Sequence, residues 1–213
     1  MTKESHYISP LFFSKLNPAL GNAILLAMIK APHIPDVFYF ARHGQTQANL
    51  EGRMSGGGID IELNATGKEQ AQALVDKLVL AKIELSSICV SPLKRAQRTA
   101  QRVHDVYSVP IFIIEEFREW LMGDWEGVSF ELVKEAFLGD GEPPNGESRL
   151  QFTSRVSAAL HKLAAHPSPT LVVGHGAVGL KIQKILDIPP IRIENAQPLR
   201  FYKSTTGWKR EKI

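Results

Sequence analysis

From Asp36 to the end of the chain, short apolar and β-branched runs alternate with stretches of helical periodicity, and this alternation narrows the fold more than any other feature. Residues 37–40 read as a strand that ends at Arg42-His43-Gly44. A helix is predicted over 66–80 from the spacing of Ala71, Leu74, Val75 and Leu78, and a buried strand over 88–90. Ser91 then serves as N-cap and Pro92 as first-turn proline for a helix over 93–104. There follow a strand over 109–114, a helix over 130–137, a Gly/Pro-rich loop over 139–148 and a helix over 147–165. A strand over 170–173 leads through Gly174-His175-Gly176 into a helix ending near Leu186, and 196–202 and 208–212 read as edge strands. Such alternation implies an α/β fold: a three-layer α/β/α sandwich around a mostly parallel sheet.

The length of 213 residues suits one such domain with an extension. Lys and Arg number 25 against 22 Asp and Glu, a net charge of +3 that is too small and too spread to mark a nucleic-acid binder. Cys89 is the one cysteine, so no intrachain disulfide forms; its apolar setting marks a small buried hydrophobe, and a reducing, cytoplasmic location is expected. Residues 1–35 stand apart. The apolar stretch 16–29 is shorter than the roughly 18–20 residues of a membrane-spanning helix, and it lacks a basic start and a small-residue cleavage site. Its spacing of Leu20, Ile24, Leu25 and Met28 predicts a short amphipathic helix, packed on the catalytic domain of residues 36–213 or on a second copy in a homodimer.

In open α/β sheets ligands bind outside the carboxyl ends of the strands. Arg42-His43, Arg95 and His175 all fall at such ends. Each alone has a bland explanation, a hydrogen-bonded structural histidine or one more solvated arginine. Together they make an anion pocket, because two guanidinium groups suit phosphate oxygens and the helices after Ser91 and Gly176 add backbone donors. Neighbouring guanidinium charges keep an enclosed imidazole neutral, so His43 can act as a nucleophile and pass a phosphoryl group to water.

The segment Arg42-His43-Gly44-Gln45-Thr46-Gln47-Ala48-Asn49 resembles the RHGxTxxN signature of the histidine phosphatase superfamily, which includes cofactor-dependent phosphoglycerate mutase. The run from Ser91 to Ala100 is similar to its SPLxRAxQTA segment, with Arg98 where Gln is usual. Phe117-Arg118-Glu119 with Gly123-Asp124-Trp125-Glu126-Gly127, the turn Pro144-Asn145-Gly146-Glu147-Ser148, and Val172-Val173-Gly174-His175-Gly176 follow in the family's order. The resemblance implies a phosphoglycerate mutase-like fold. It also implies His43 as the phosphohistidine-forming nucleophile, Arg42, Arg95 and His175 as phosphate clamp and charge stabilisers, and Asn49 as a further donor. Glu119 would be the proton donor and then the base; without the motif it would read as a solvated acid beside Glu115 and Glu116.

The chain departs from the pattern in places. Residues 53–60 form a longer loop than usual, Glu62 stands where Pro is common, and Ala177-Val178-Gly179-Leu180-Lys181 lacks an arginine often found there, read as a packing change away from the phosphate. The mutases' long basic insertion is missing too, since residues 127–143 contain one basic residue, Lys134. The expectation is therefore a metal-independent phosphatase acting on small phosphorylated metabolites, similar to the α-ribazole phosphatase type. No cofactor and no metal site is expected, since no ligand spacing appears. The alternatives are a mutase-type phosphotransferase and a non-catalytic or phosphoprotein-directed binder.

Overall fold

A computed structural model describes residues 34–213. The helix expected within residues 16–29 lies outside them. Ile34, near the end of the expected extension, packs against the core.

Among the described residues the central sheet has six strands, in the order β3-β2-β4-β1-β5-β6. They are β1 (Val37–Arg42), β2 (Ser87–Val90), β3 (Ile111–Ile113), β4 (Thr170–Gly174), β5 (Pro198–Ser204) and β6 (Gly207–Lys212). The first four run parallel, while β5 pairs antiparallel with β1, and β6 with β5. The intervening helices are α1 (Gln47–Leu50), α2 (Ala65–Leu80), α3 (Lys94–Tyr107), α4 (Phe130–Leu138), α5 (Arg149–Lys162) and α6 (Gly176–Ile185).

Side chains alternate across a strand, so each inner strand feeds two cores. On one face Phe38, Phe40, Cys89 and Val172 meet Phe152, Val156 and Leu160 of α5 and Val178 and Ile182 of α6. On the other, Tyr39, Ala41, Ile88, Val90, Leu171 and Val173 meet Leu74, Val75 and Leu78 of α2 and Ala96, Ala100 and Val103 of α3. These are the expected three layers. Cys89 is fully buried, and burial pushes its thiol up to about 12, which makes it inert packing.

Two local expectations change. Helix α3 begins at Lys94 with Leu93 as an N-cap lacking a side-chain bond, so Ser91 does not cap it. The strand expected over 109–114 shortens to Ile111–Ile113, because the chain turns into a 3₁₀ helix at Glu115–Phe117. That turn brings Glu119 back over the sheet edge.

Candidate active site

Strands β1, β4 and β2 end side by side, with Arg42 opposite Gly174 and Val90 opposite Val173. Their carboxyl ends therefore deliver Arg42-His43, His175 and Ser91 to one place. The backbone N–H of His43 donates to Gly174 O (2.9 Å) and that of Ser91 to Val173 O (3.1 Å), extending the sheet one residue into the site. Gly44 follows at a close approach of two segments. A Cβ there would lie 2.2 Å from Gly67 O at the start of α2, so only glycine fits. Its N–H donates to Thr99 Oγ1 of α3, whose hydroxyl donates to Arg95 O.

His43 is 3% exposed, and its Nδ1 lies 2.6 Å from Gly44 O. A carbonyl can only accept, so Nδ1 carries the proton and Nε2 is left with its lone pair. Burial first, then the charges of Arg95 and Arg42, hold this histidine well below its ordinary value of 6.5. His175, with its ring centroid 5.2 Å from that of His43, is depressed likewise, first by burial and then by Arg95, His43 and Arg42. Its Nε2 meets Ser91 Oγ at 2.6 Å, and its Nδ1 is buried without a protein partner. The serine expected to cap α3 is thus committed to His175.

The two arginines are gripped from one side only. Arg95, 1% exposed, donates to Ile59 O and Gly56 O, both at 2.8 Å, and Arg42 donates to Ile193 O at 3.3 Å. The Nε of each is buried and unpartnered. Arg42 lies over the first turn of α6, since a Cβ on Gly176 would be 3.6 Å from its Nε. Desolvation lowers both guanidinium groups, Arg95 to about 10, and Glu119 is the largest charge opposing that in each case. Both remain cations at neutral pH.

Glu119 is 8% exposed, not solvated. Its Oε1 accepts from Trp120 N (2.9 Å) and Val178 N (3.2 Å), and its Oε2 from Ala177 N (3.0 Å), so this carboxylate caps the start of α6. The loop that presents it is clamped by Arg155, which donates to Glu116 O, Arg118 O and Glu119 O and pairs with Glu147 at 2.6 Å. Asn49 closes a capping box with Thr46, its Oδ1 accepting from Thr46 N and from Asn195 Nδ2. Asn195 also donates to His43 O at 2.8 Å.

Arg42, His43, Asn49, Arg95 and Glu119 line one cavity of about 980 Å³, and His175 adjoins it. Every site residue expected from the sequence is therefore gathered. Arg155, Asn195 and Ser55, whose buried Oγ lacks a partner, escaped sequence reading; Glu147 in its turn motif hinted at the first, and nothing local marked the others. Leu180 and Lys181, in the segment read as a packing change away from the phosphate, also line the cavity. Arg98 and Glu62, two departures from the family pattern, pair with each other at 3.1 Å on the surface. Among the described residues no group of three or more His, Cys, Asp or Glu side chains is arranged to hold a metal ion.

Two buried neutral histidines carry a stability signature. Below about pH 6.5 the unfolded chain protonates them, while the folded chain resists until a lower pH, so stability falls as the pH drops from 6.5. The loss should approach about 1.4 kcal/mol per pH unit for each histidine. Denaturant midpoints measured from pH 8 to 5 should show it in the wild type and show less in His43→Ala. An identical pH slope in the two proteins would mean that His43 charges normally in the fold.

The family profile described as histidine phosphatase superfamily (branch 1) matches residues 38–199. The adenosylcobalamin/alpha-ribazole phosphatase of Escherichia coli (strain K12) is 35% identical over 164 residues, 71% of this chain and 79% of that one. The glucosyl-3-phosphoglycerate phosphatase of Mycolicibacterium vanbaalenii is 34% identical over 155 residues, 64% of this chain and 68% of its own. A mycobacterial glucosyl-3-phosphoglycerate phosphatase solved in complex with VO3 superposes with a TM-score of 0.70 at 25% identity, covering 83% of this chain and 98% of that one.

Proposed function

The chain belongs to the histidine phosphatase superfamily, and from that premise we propose that it is a metal-independent phosphatase that hydrolyses small phosphomonoesters through a phosphohistidine on His43. The observation that carries this reading is the His43 ring: Nδ1 is tied to Gly44 O, Nε2 is free, and two buried guanidinium groups with unpartnered Nε atoms flank it. Nε2 attacks phosphorus as the bond to the ester oxygen breaks, and Arg42 and Arg95 neutralise the charge on the phosphoryl oxygens. His175 assists in this reading: with Ser91 donating to its Nε2, its Nδ1 bears the proton and, having no protein partner, is left to donate to the phosphoryl group. Glu119 enters this step protonated, gives its proton to the departing alkoxide and becomes the carboxylate. It then takes a proton from water, which attacks phosphorus and breaks the N–P bond, releasing inorganic phosphate and neutral His43.

Water is the acceptor in this reading. Lys134, the basic residue of the 127–143 stretch, is tied to Glu131 at 3.3 Å on the exposed side of α4 and is not disposed to hold a second phosphate. The test is turnover of para-nitrophenyl phosphate in EDTA, with acid quench during the steady state. Acid-labile, alkali-stable phosphate on His43 is expected. Turnover without label on any histidine would remove the covalent mechanism, and tight phosphate binding without turnover would favour a phospho-ligand binder.

A further inference from the structure

The cavity extends well beyond the histidines, along one face of α6. Gly176, Ala177, Leu180, Lys181 and Lys184 line it at helical spacing. Gly176 lies against Arg42, at the end where the phosphate would sit. At 1.5 Å per residue, Lys181 and Lys184 stand roughly 8 and 12 Å further along the helix axis.

The other cations of this wall are already engaged. Arg149 donates to Gly141 O, Ala136 O and Phe137 O, Arg53 pairs with Glu51, and Arg192 pairs with Glu194. Lys181 and Lys184 pair with no carboxylate within 4 Å among the described residues. Lys181 is half-buried. Its Nζ donates to Thr153 Oγ1 at 2.8 Å and lies 5.4 Å over the Phe152 ring. The Thr153 hydroxyl gives its own proton to Arg149 O, so it can only accept from Lys181. Two of the three ammonium protons therefore remain for another partner. Burial, with Lys184 and Arg149 nearby, pushes Lys181 down to about 8, a cost that an arriving anion would relieve.

We propose that Lys181 and Lys184 form a second anion subsite, and that the preferred substrate is a phosphomonoester carrying a second anionic group, carboxylate or phosphate, about 8–12 Å from the scissile phosphorus. The proposal rests on the phosphatase reading for its first anion. Leu180, Phe152 and Phe137 on the cavity wall suit an apolar connector between the two charges. Leu180 and Lys181 thereby acquire a role as specificity-determining residues: one leaves the connector room, and the other holds the far anion.

The test uses ω-carboxyalkyl, ω-phosphoalkyl and ω-hydroxyalkyl phosphates of graded length, together with the matching phosphonates, which cannot be hydrolysed. In the wild type an anionic ω-group should raise kcat/KM, and tighten phosphonate binding, by about tenfold or more over hydroxyl. The preference should peak at an intermediate connector length, a result that needs no variant. In Lys181→Met the ratio should fall towards one, and in Lys181→Glu an ω-amino group should become preferred. The better of the carboxylate and phosphate arms identifies the second anion. Hydrolysis of all esters without any ω-group preference would overturn the subsite and leave the phosphatase reading intact. Phosphonates bound with the preference but esters not hydrolysed would overturn the catalytic reading instead. A preference unchanged in Lys181→Met would also dismiss the subsite.

Discussion

Alanine in place of His43 should reduce phosphomonoester turnover by on the order of 10⁴-fold or more while leaving the fold in place. The size of the effect follows from the chemistry, since among the described residues no other side chain offers an unprotonated nitrogen between the two guanidinium groups. Retention of the fold follows from position. His43 directly follows β1 and belongs to neither hydrophobic cluster, and its backbone bond to Gly174 O does not involve the side chain. His175 cannot simply replace it, because its Nε2 is committed to Ser91. The check is kcat/KM together with circular dichroism and thermal unfolding. A folded variant with near wild-type turnover would move the covalent step to another residue.

Glu119→Gln should make the rate depend steeply on the leaving group. Alkyl phosphates, which need a proton in the transition state, should lose about a hundredfold or more, while nitrophenyl phosphate should lose little. A second effect comes from the cap on α6. Glu119 accepts three backbone N–H bonds, and the amide NH₂ of glutamine must face at least one of those donors. Leaving that N–H unpaired costs about 1–3 kcal/mol, so Glu119→Gln should also unfold earlier. The two effects separate cleanly, because instability lowers the amount of active protein for all substrates alike and leaves their relative rates unchanged. A plot of log kcat/KM against leaving-group pKa, with equal slopes in both proteins, would assign the proton to another group, such as His175.

The elements were legible in the sequence because each rests on local periodicity. Short continuous apolar and β-branched runs in 37–42, 87–90 and 170–174, buried along nearly their whole length, and the 3.6-residue spacing of 65–80 set strands and helices before any long-range contact forms. The last two strands were visible as short runs and read as edge strands, but β5 lies inside, between β1 and β6, and its antiparallel pairing with both was not legible. Arg42, His43, Arg95 and His175 were legible for a related reason, since residues just past strand ends in a parallel sheet must gather at one edge whatever the strand order.

What the tertiary structure alone decided is which atom meets which. Ser91 stands next to a helix start, the place for a cap, yet its hydroxyl goes to His175, 84 residues away, because β2 and β4 are neighbours and end in register. Glu119 lies among acids that read as solvated, and becomes a buried cap on α6 only because Arg155 and Glu147 fold its loop over the sheet edge. Lys181 lies in a segment that reads as a packing change away from the phosphate, and the turn of α6 carries it onto the cavity wall. A hydrogen bond depends on a few tenths of an ångström between groups far apart in the chain, and local pattern carries no information at that precision.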